Sequence, residues 1–467
     1  AAVQDGRILG LVPKQNIPNY GEFYEVRHFA AGSREVSEVD VLGQTVPFGG
    51  NLLFSCRNLK GLVVGCELCE DVWVMDPPST ALAKAGATVI VNLSASNETV
   101  GKDTYRKSLI AATSARLLCG YVYASAGDGE STQDLVFSGH HMIAENGSVL
   151  AEAARFENET IFSELDIHKI CHERRRMSTF VPENTETCVR IGFTLEKEET
   201  KLTRTFAQMP FVPSDETLKK ERCEQILSIQ AQGLKKRYEH TGAKTAVIGV
   251  SGGLDSTLAL LVTARAFDLL GKDRNDILAV TMPCFGTTNR TYENACRLAQ
   301  TLGAKLIEVN IREAVQVHFR DIGQDMDKHD VTYENGQARE RTQVLMDLAN
   351  QSNGLVIGTG DMSELALGWA TYNGDHMSMY GVNVGVPKTL VRHLVAYCAN
   401  TCSESEKVLQ EVLLDVLDTP VSPELLPPED GKISQKTEDL VGPYELHDFF
   451  LYQLLRCGFG PAKIYRL

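Results

Sequence analysis

The 467-residue chain is expected to fold as an α/β protein in two parts, and three observations support this class. Short apolar runs alternate with helical segments over residues 1 to about 165, as in layered α/β domains. The apolar runs 277–282, 305–309 and 355–359 are separated by helical stretches long enough for crossovers, which predicts a doubly wound parallel sheet. An apolar run at 246–250 is joined to a helical segment by a glycine-rich loop.

Composition narrows the function. A formal net charge of −15 argues against a nucleic-acid or anionic-membrane partner, because a basic face is hard to assemble from such an excess of acid. Twelve cysteines show no framework spacing, and no apolar run has membrane length. We therefore expect a cytoplasmic protein, and the length of 467 residues predicts two or three domains.

The glycine-rich loop at 246–258 has the features of a phosphate cradle. Gly252 and Gly253 allow a tight turn that brings backbone N–H groups to an anion, and the following helix directs its positive end there. Hydroxyl groups from Ser251 and Ser256 add donors. Asp255 would repel phosphate unless a divalent cation lay between them, so Mg²⁺ is implied. No Walker A lysine follows the glycines, and a plain Gly-Gly turn is the structural alternative.

In the first half, the chemistry concentrates at the end of an apolar run, 63–68. Cys69 follows this predicted strand, where a thiol open to a cleft is a candidate nucleophile if a nearby lysine lowers its pKa. A metal or redox C-x-x-C unit with Cys66 is the first alternative, but positions i and i+3 of a strand face opposite sides and no second C-x-x-C exists. The second alternative is a pair of small buried residues, which suits Cys66 better than Cys69.

With Lys14 and Glu22 in the segment 12–25, the motif Glu67-Leu68-Cys69-Glu70-Asp71 resembles the nitrilase-type glutaminase domain of glutamine-dependent NAD synthetases. This resemblance implies an N-terminal nitrilase-like α-β-β-α sandwich, incomplete here, in which Cys69 attacks glutamine, Lys14 stabilises the oxyanion and Glu22 supports them. It implies that glutamine is bound by Tyr20, Glu70, Ser96 and Lys102. The general-base glutamate of the family precedes the lysine motif, and residues 1–13 contain no glutamate, so we expect the chain as written to have little glutaminase activity.

The second half resembles the synthetase domain of the same family, an ATP pyrophosphatase. The resemblance implies ATP contacts from Gly249, Ser251, Gly252, Gly253, Leu254, Asp255, Ser256, Thr359, Lys388 and Ser422. It implies deamido-NAD contacts from Asn335, Arg339, Glu364, Trp369, Thr371, Tyr372 and Asp375, and a metal held by Asp255 and Glu364, although Glu364 could instead contact the dinucleotide. Arg339 and Arg341 are predicted to lie at the start of a helix, where arginines are unfavourable unless an anion is bound.

We assign residues 1–165 to the glutaminase domain, 166–215 to a charged, turn-rich linker and 216–467 to the NAD synthetase domain, with both ends of the chain apparently cut. The implied reaction is ATP-dependent amidation of deamido-NAD to NAD, with ammonia from glutamine and ATP as co-substrate. A homo-oligomer is expected. The alternatives are another amidotransferase of the ATP-pyrophosphatase type, a nucleotide-binding regulator with an inactive amidase half, and a zinc-binding structural protein.

Overall fold

The protein forms two structural units in a computed structural model that describes residues 1–130, 135–183, 187–196, 198, 201–422, 425–427 and 437–467. Unit 1 comprises Ala1–Thr205 and Cys457–Lys463, and unit 2 comprises Phe206–Arg456 and Ile464–Leu467. In the described residues, no helix is both long and apolar enough to cross a membrane.

Unit 1 is built on a mixed seven-stranded sheet. Its elements are β1 (Ala2–Gln4), β2 (Arg7–Gly10), β3 (Ser37–Val41), β4 (Gln44–Phe48), β5 (Leu52–Cys56), β6 (Val63–Leu68), α1 (Pro78–Lys84), β7 (Val89–Ser94), α2 (Lys102–Leu117), β8 (Gly120–Ser125), β9 (Met142–Glu145), β10 (Ser148–Glu152), α3 (Ile167–Arg176) and β11 (Val189–Phe193). The strand order is β10-β9-β8-β7-β6-β5-β11, and β1-β2 and β3-β4 form separate antiparallel pairs.

The centre of this sheet is parallel and apolar. Strand β7 pairs in parallel with β6 on one side and β8 on the other, so the carboxyl ends of all three strands lie at one edge. Ile90, Tyr121 and Met142 are fully buried in the core of unit 1, which also takes residues from α1 and α2. The edge at which β6, β7 and β8 end therefore rests on a closely packed support.

Part of the predicted linker lies within unit 1. Strand β11 pairs in parallel with β5 and extends the sheet. In α3, Arg174 donates hydrogen bonds to the carbonyl groups of Ala87, Leu117 and Leu118, which closes the ends of neighbouring elements. The segment after residue 165 therefore contributes the helix α3 and the strand β11 to unit 1, and the two units divide between Thr205 and Phe206.

Unit 2 alternates strands and helices. Its elements are α4 (Glu216–Thr241), β12 (Ala246–Gly249), α5 (Leu254–Leu270), β13 (Ile277–Thr281), α6 (Asn289–Thr301), β14 (Lys305–Glu308), α7 (Arg312–Ile322), α8 (Val331–Ser352), β15 (Leu355–Gly358), α9 (Met362–Leu367), β16 (Tyr380–Gly381), α10 (Lys388–Asn400), α11 (Lys407–Leu417), α12 (Thr437–Val441) and α13 (Tyr444–Leu455). The short helix α14 (Pro461–Ile464) is the last element of the chain.

The doubly wound parallel sheet predicted for this half is confirmed. Its order is β14-β13-β12-β15-β16, and every neighbouring pair is parallel. Ala246 and Ile248 face a core shared with α4, α5, α10 and α11, whereas Val247 faces a second core shared with α7 and α8. Alternate residues of each strand are therefore buried on opposite faces, and ligand space remains at the carboxyl ends of the strands.

One expectation about unit 2 is wrong. Helix α8 begins at Val331, because Asp330 accepts hydrogen bonds from the N–H groups of Thr332 and Tyr333 and so caps the helix. Arg339 consequently lies two turns inside the helix rather than at its start. The argument that an anion must offset unfavourable arginines at a helix N-terminus does not apply.

Candidate active sites

The candidate nucleophile of unit 1 stands on a strained turn. Cys69 follows the last residue of β6 and begins a short 3₁₀ turn, Cys69–Val72. Its φ angle is +48°, in the left-handed region that residues with a Cβ seldom adopt. The backbone N–H of Cys69 donates to Asn92 Oδ1 at 3.0 Å. The turn therefore ends the strand abruptly and presents the half-buried thiol beyond it.

A buried carboxylate ties this turn to the segment that carries Lys14. Asp71 is fully buried, and its Oδ2 accepts from the N–H of Leu68 at 3.0 Å. Its Oδ1 accepts from the backbone N–H groups of Gln15 and Asn16 at 3.2 and 2.8 Å and from Asn16 Nδ2 at 2.9 Å. An ionised carboxylate suits several N–H donors at once. The Asp71 side chain therefore connects the turn Cys69–Val72, called the elbow below, to the segment that carries Lys14.

The ion pair of Lys14 is with a glutamate that sequence reasoning did not select. Lys14 Nζ lies 2.9 Å from Glu25 Oε2. Glu22, which the resemblance places in the catalytic set, instead accepts a hydrogen bond from Asn97 Nδ2 at 2.5 Å. Asn97 Oδ1 accepts from Lys102 Nζ at the same distance, so one asparagine connects Glu22 to Lys102. Glu25 begins a 3₁₀ helix, Glu25–Arg27, and Asn97 follows β7; no short motif marks either residue.

The residues expected to bind glutamine surround the thiol. The Tyr20 hydroxyl donates to Glu70 Oε1 at 2.8 Å, and burial together with that carboxylate raises the pKa of Tyr20 to about 12. Burial lowers the pKa of Lys102, while the negative charges of Glu22 and the Cys69 thiolate oppose that shift. Ser96 is buried nearby, where its side chain bonds to Tyr123. Both Tyr20 and Lys102 interact electrostatically with Cys69, so both side chains lie near the thiol.

In unit 2, the glycine-rich loop joins β12 to α5 and is called the phosphate loop below. Its conformation requires glycine at one position. Gly252 has φ of +83°, and a Cβ at this position would lie 2.1 Å from the backbone oxygen of Thr291. Ser251 Oγ accepts from the N–H of Gly253 at 3.2 Å, and Thr257 Oγ1 donates to the carbonyl of Gly253 at 2.8 Å. The turn is therefore held by its own hydroxyl groups at the N-terminus of α5.

A cavity of about 630 Å³ opens beside this loop. Most predicted ATP and dinucleotide residues line it, namely Gly249, Ser251, Gly253, Leu254, Asp255, Ser256, Asn335, Thr359, Glu364, Trp369, Thr371, Asp375 and Ser422. Gly252, Arg339, Tyr372 and Lys388 are outside that lining. Arg339 Nε donates to the backbone oxygen of Tyr372 at 3.1 Å, and Thr371 bonds to Asp375, so these residues brace the loop after α9.

Three carboxylates and one ammonium group lie at the edge of the cavity. Asp255, Asp361 and Glu364 offer oxygens within 4.8 Å of one another. Lys388 Nζ lies 2.6 Å from Asp255, 2.7 Å from Asp361 and 2.8 Å from Glu364. Burial and the Asp255 charge raise the pKa of Glu364 to about 8. Burial alone would lower the pKa of Lys388, but the three carboxylates hold it well above its ordinary value.

The sequence interpretation gave no role to Asp361, although its position was a usable signal. It lies three residues after the end of β15 and caps α9 by accepting from the N–H of Glu364 at 2.9 Å. Burial raises its pKa to about 6, with Lys388 opposing the shift. A carboxylate at the carboxyl end of a central parallel strand is where a doubly wound sheet binds ligands. Its approach to Lys388, 27 positions away, depends on the fold.

Comparison with known proteins gives two family matches and several related proteins. Residues 226–454 match the sequence model of the NAD synthase family, and residues 4–174 match that of the carbon-nitrogen hydrolases. The chain is 45% identical to a glutamine-dependent NAD(+) synthetase of Mycobacterium leprae over 478 residues, covering 99% of this chain and 70% of the relative. It is 44% identical to a protein of the same name from Mycobacterium tuberculosis, with the same two coverages. Against the Thermotoga maritima protein of that name the identity is 30%, over 99% of this chain and 74% of the relative. On these findings, together with the two sites described above, the chain belongs to the glutamine-dependent NAD synthetase family.

Proposed function

We propose that the protein forms NAD by ATP-dependent amidation of deamido-NAD, with nitrogen released from glutamine at the Cys69 site. The observation that carries the proposal is the cavity of unit 2, which is lined by the glycine-rich loop, by Asp255 and Glu364, and by residues of the loop after α9. Amidation of a carboxylate requires that the acid be activated, and ATP activates it by adenylation. Each of the two units thus supplies one half of the reaction.

The chemistry in unit 2 has two steps. The nicotinate carboxylate of deamido-NAD attacks the α-phosphorus of ATP, and pyrophosphate leaves. Ammonia then attacks the acyl carbon of the adenylate and loses a proton, and AMP leaves. In this scheme the N–H groups at 251–253 and the hydroxyl of Ser256 hold the phosphates, while Trp369, Asn335 and Asp375 orient the dinucleotide. Their positions along the cavity lining support this division.

The residues at the cavity edge fit a magnesium ion. Asp255, Asp361 and Glu364 present the oxygen ligands that Mg²⁺ prefers, and Asp255 Oδ1 is buried without a hydrogen-bond partner among the described residues. A bound ion would offset the charge that develops on the phosphates. Lys388 already neutralises part of this cluster and is the second cation available to the triphosphate.

In unit 1, Cys69 would attack the carboxamide of glutamine and release ammonia, leaving a thioester that water hydrolyses. Lys14 is assigned to the oxyanion of the tetrahedral intermediate. Glu70 with Tyr20 would hold the α-amino group and Lys102 the α-carboxylate, because these groups offer the opposite charges that a zwitterion needs. The Tyr20–Glu70 hydrogen bond and the electrostatic interaction of Cys69 with both Tyr20 and Lys102 support the assignment.

Exchange of labelled pyrophosphate into ATP, dependent on deamido-NAD, tests the proposal. Asp255→Asn should lower the exchange rate by about a hundredfold or more, because it removes charge stabilisation at the phosphates. Asp268→Asn is the matched control: it lies on the same helix, is half exposed and pairs with Arg274. Cys69→Ala should leave both the exchange and ammonia-driven synthesis intact.

Two outcomes would contradict the proposal. Absence of exchange in the unaltered protein would favour a nucleotide-binding regulator. An equal effect of Asp255→Asn and Cys69→Ala on glutamine-driven and ammonia-driven synthesis would refute the separation into two sites. The homo-oligomer and the cytoplasmic location stay predictions; size-exclusion chromatography with light scattering tests the first, and fractionation of cells tests the second.

A further inference from the structure

A chain of buried polar side chains runs across the sheet of unit 1 and ends on the backbone of Cys69. It begins at Asn92 on β7, directly beside the strand that carries the cysteine. Asn92 has no exposed surface, and its Oδ1 accepts from the N–H of Cys69 at 3.0 Å. The same oxygen accepts from the hydroxyl of Ser94 at 2.8 Å. A buried asparagine therefore bonds to the nucleophile's own amide.

The orientation of the Asn92 amide is determined by its partners. A backbone N–H can only donate, so the group facing Cys69 must be the amide oxygen. Nδ2 then points to the hydroxyl oxygen of Tyr121 and donates to it at 3.2 Å. The Tyr121 hydroxyl uses its hydrogen for Glu67 Oε1 at 2.5 Å, and Glu67 Oε2 accepts from the N–H of Ser79 at 2.9 Å. Each donor in this chain has one acceptor.

Burial of these hydrogen-bonded polar side chains costs free energy, so packing alone does not explain their presence. Glu67 and Tyr121 lie in the interior with 1% and 0% of their surface exposed. Burial raises the pKa of Glu67, because a carboxylate loses its hydration there. Apolar residues could fill this space more cheaply, yet they would leave the amide of Cys69 without a partner. The network therefore provides the acceptor for the Cys69 N–H.

That need comes from the conformation of Cys69. With φ at +48°, the residue is held where a cysteine is strained, and such strain persists only if neighbouring contacts impose it. Asp71, two residues after the cysteine, accepts from the N–H of Leu68, the residue before it. It also accepts from the backbone of the Lys14 segment. Asn92 is the group that bonds to Cys69 itself. Loss of its oxygen would let the peptide relax and swing the thiol away from Tyr20 and Lys102.

We propose that Asn92, held in place by Tyr121 and Glu67, is a positioning residue that keeps the Cys69 backbone in its left-handed conformation and so aims the thiol at the carboxamide of glutamine. The inference rests on the proposed role of Cys69 as nucleophile. It assigns to these buried residues an effect on the alignment of the thiol, which differs from an effect on the stability of the sheet.

Labelling of Cys69 with two reagents distinguishes alignment of the thiol from general integrity of the fold. A diazoketone analogue of glutamine reacts only with a thiol aligned in the glutamine pocket, whereas iodoacetamide reacts with any accessible thiolate. In the full chain, Asn92→Ala should slow labelling by the analogue about a hundredfold, the scale of an ångström-sized misplacement, while labelling by iodoacetamide persists. Mass spectrometry of the Cys69 peptide gives both rates. Tyr121→Phe should have a smaller effect in the same direction.

Thr88→Val is the matched control. Thr88 is a buried residue immediately before β7, and its hydroxyl bonds to the backbone of Gly61 and Val63, at the opposite end of β6 from Cys69. This variant should retain both labelling rates. A similar loss of analogue labelling in Thr88→Val and Asn92→Ala would overturn the inference, because the effect would then be one of sheet stability.

The remaining outcomes are also decisive. If the unaltered chain is labelled at Cys69 by iodoacetamide but not by the analogue, the proposed nucleophile is wrong and the inference falls with it. If the unaltered chain and Asn92→Ala react with the analogue at equal rates, the nucleophile stands and only the positioning role is refuted. Should Asn92→Ala fail to fold, Tyr121→Phe decides, since a positioning role requires it to slow labelling by the analogue while labelling by iodoacetamide persists, and a loss of sheet stability alone would not separate the two rates.

Discussion

The glycine of the phosphate loop gives the most direct test of the cavity in unit 2. Gly252→Ala would place a Cβ 2.1 Å from the backbone oxygen of Thr291, and the two would have to separate by about 0.9 Å to reach 3.0 Å. The left-handed φ adds about 1 to 2 kcal/mol for any residue with a Cβ. Overpacking against backbone adds about 1 to 3 kcal/mol. The total loss in the free energy of unfolding should be about 2 to 5 kcal/mol.

Gly271→Ala is a control from the other end of the same helix. Gly271 also has a left-handed φ, +64°, but no atom lies within 4 Å of the position its Cβ would take. It should therefore lose only the conformational share, about 1 to 2 kcal/mol. The difference between the two variants isolates the contact with Thr291.

The assay can be confined to unit 2. The chain has two tryptophans, so a Trp73→Phe background leaves Trp369 as the fluorescent reporter of urea unfolding in that unit. Pyrophosphate exchange should fall about a hundredfold in Gly252→Ala, because the loop shifts by nearly an ångström, and should be retained in Gly271→Ala. Equal unfolding losses and equal exchange rates in the two variants would refute the claim that this loop shapes the phosphate site.

Three further predictions concern buried charges and thiols. Lys388→Met should lower the free energy of unfolding, measured in urea, by about 3 kcal/mol, because it leaves buried carboxylates unpaired. Its control, Lys328→Met, breaks an exposed ion pair and should cost under about 1 kcal/mol. Burial raises the pKa of Cys66 to about 11, so its thiolate forms only as the pH rises toward 11. Peptide mapping after iodoacetamide treatment at pH 8 should therefore find Cys69 modified and Cys66 intact. An equal yield of the two modified cysteines would contradict the burial argument. Asp71→Asn weakens several hydrogen bonds of a fully buried carboxylate and should cost about 1 to 3 kcal/mol while slowing reaction of Cys69 with the glutamine analogue; an unchanged rate would show that Asp71 does not align the elbow.

Some structural errors in the sequence interpretation have a local cause. The start of α8 was placed too late because Asp330 was not taken as an N-cap, although an aspartate before the helical residues is a usual signal. Residues 166–215 were assigned to a linker from their charge and turn content. Composition does not reveal that Val189–Phe193 pairs with a strand more than 130 positions earlier.

The sequence alone determined the features that depend on neighbouring residues. The strand, glycine turn and helix at 246–270 and the cysteine at the end of Val63–Leu68 are local, since φ preferences, apolar runs and helix ends are set within a few positions. Only the tertiary structure decided which distant groups meet: Lys388 with three carboxylates, Lys14 with Glu25, and Asn92 with the amide of Cys69. Such contacts depend on strand order and register, which bring together residues far apart in the chain and which no short motif encodes.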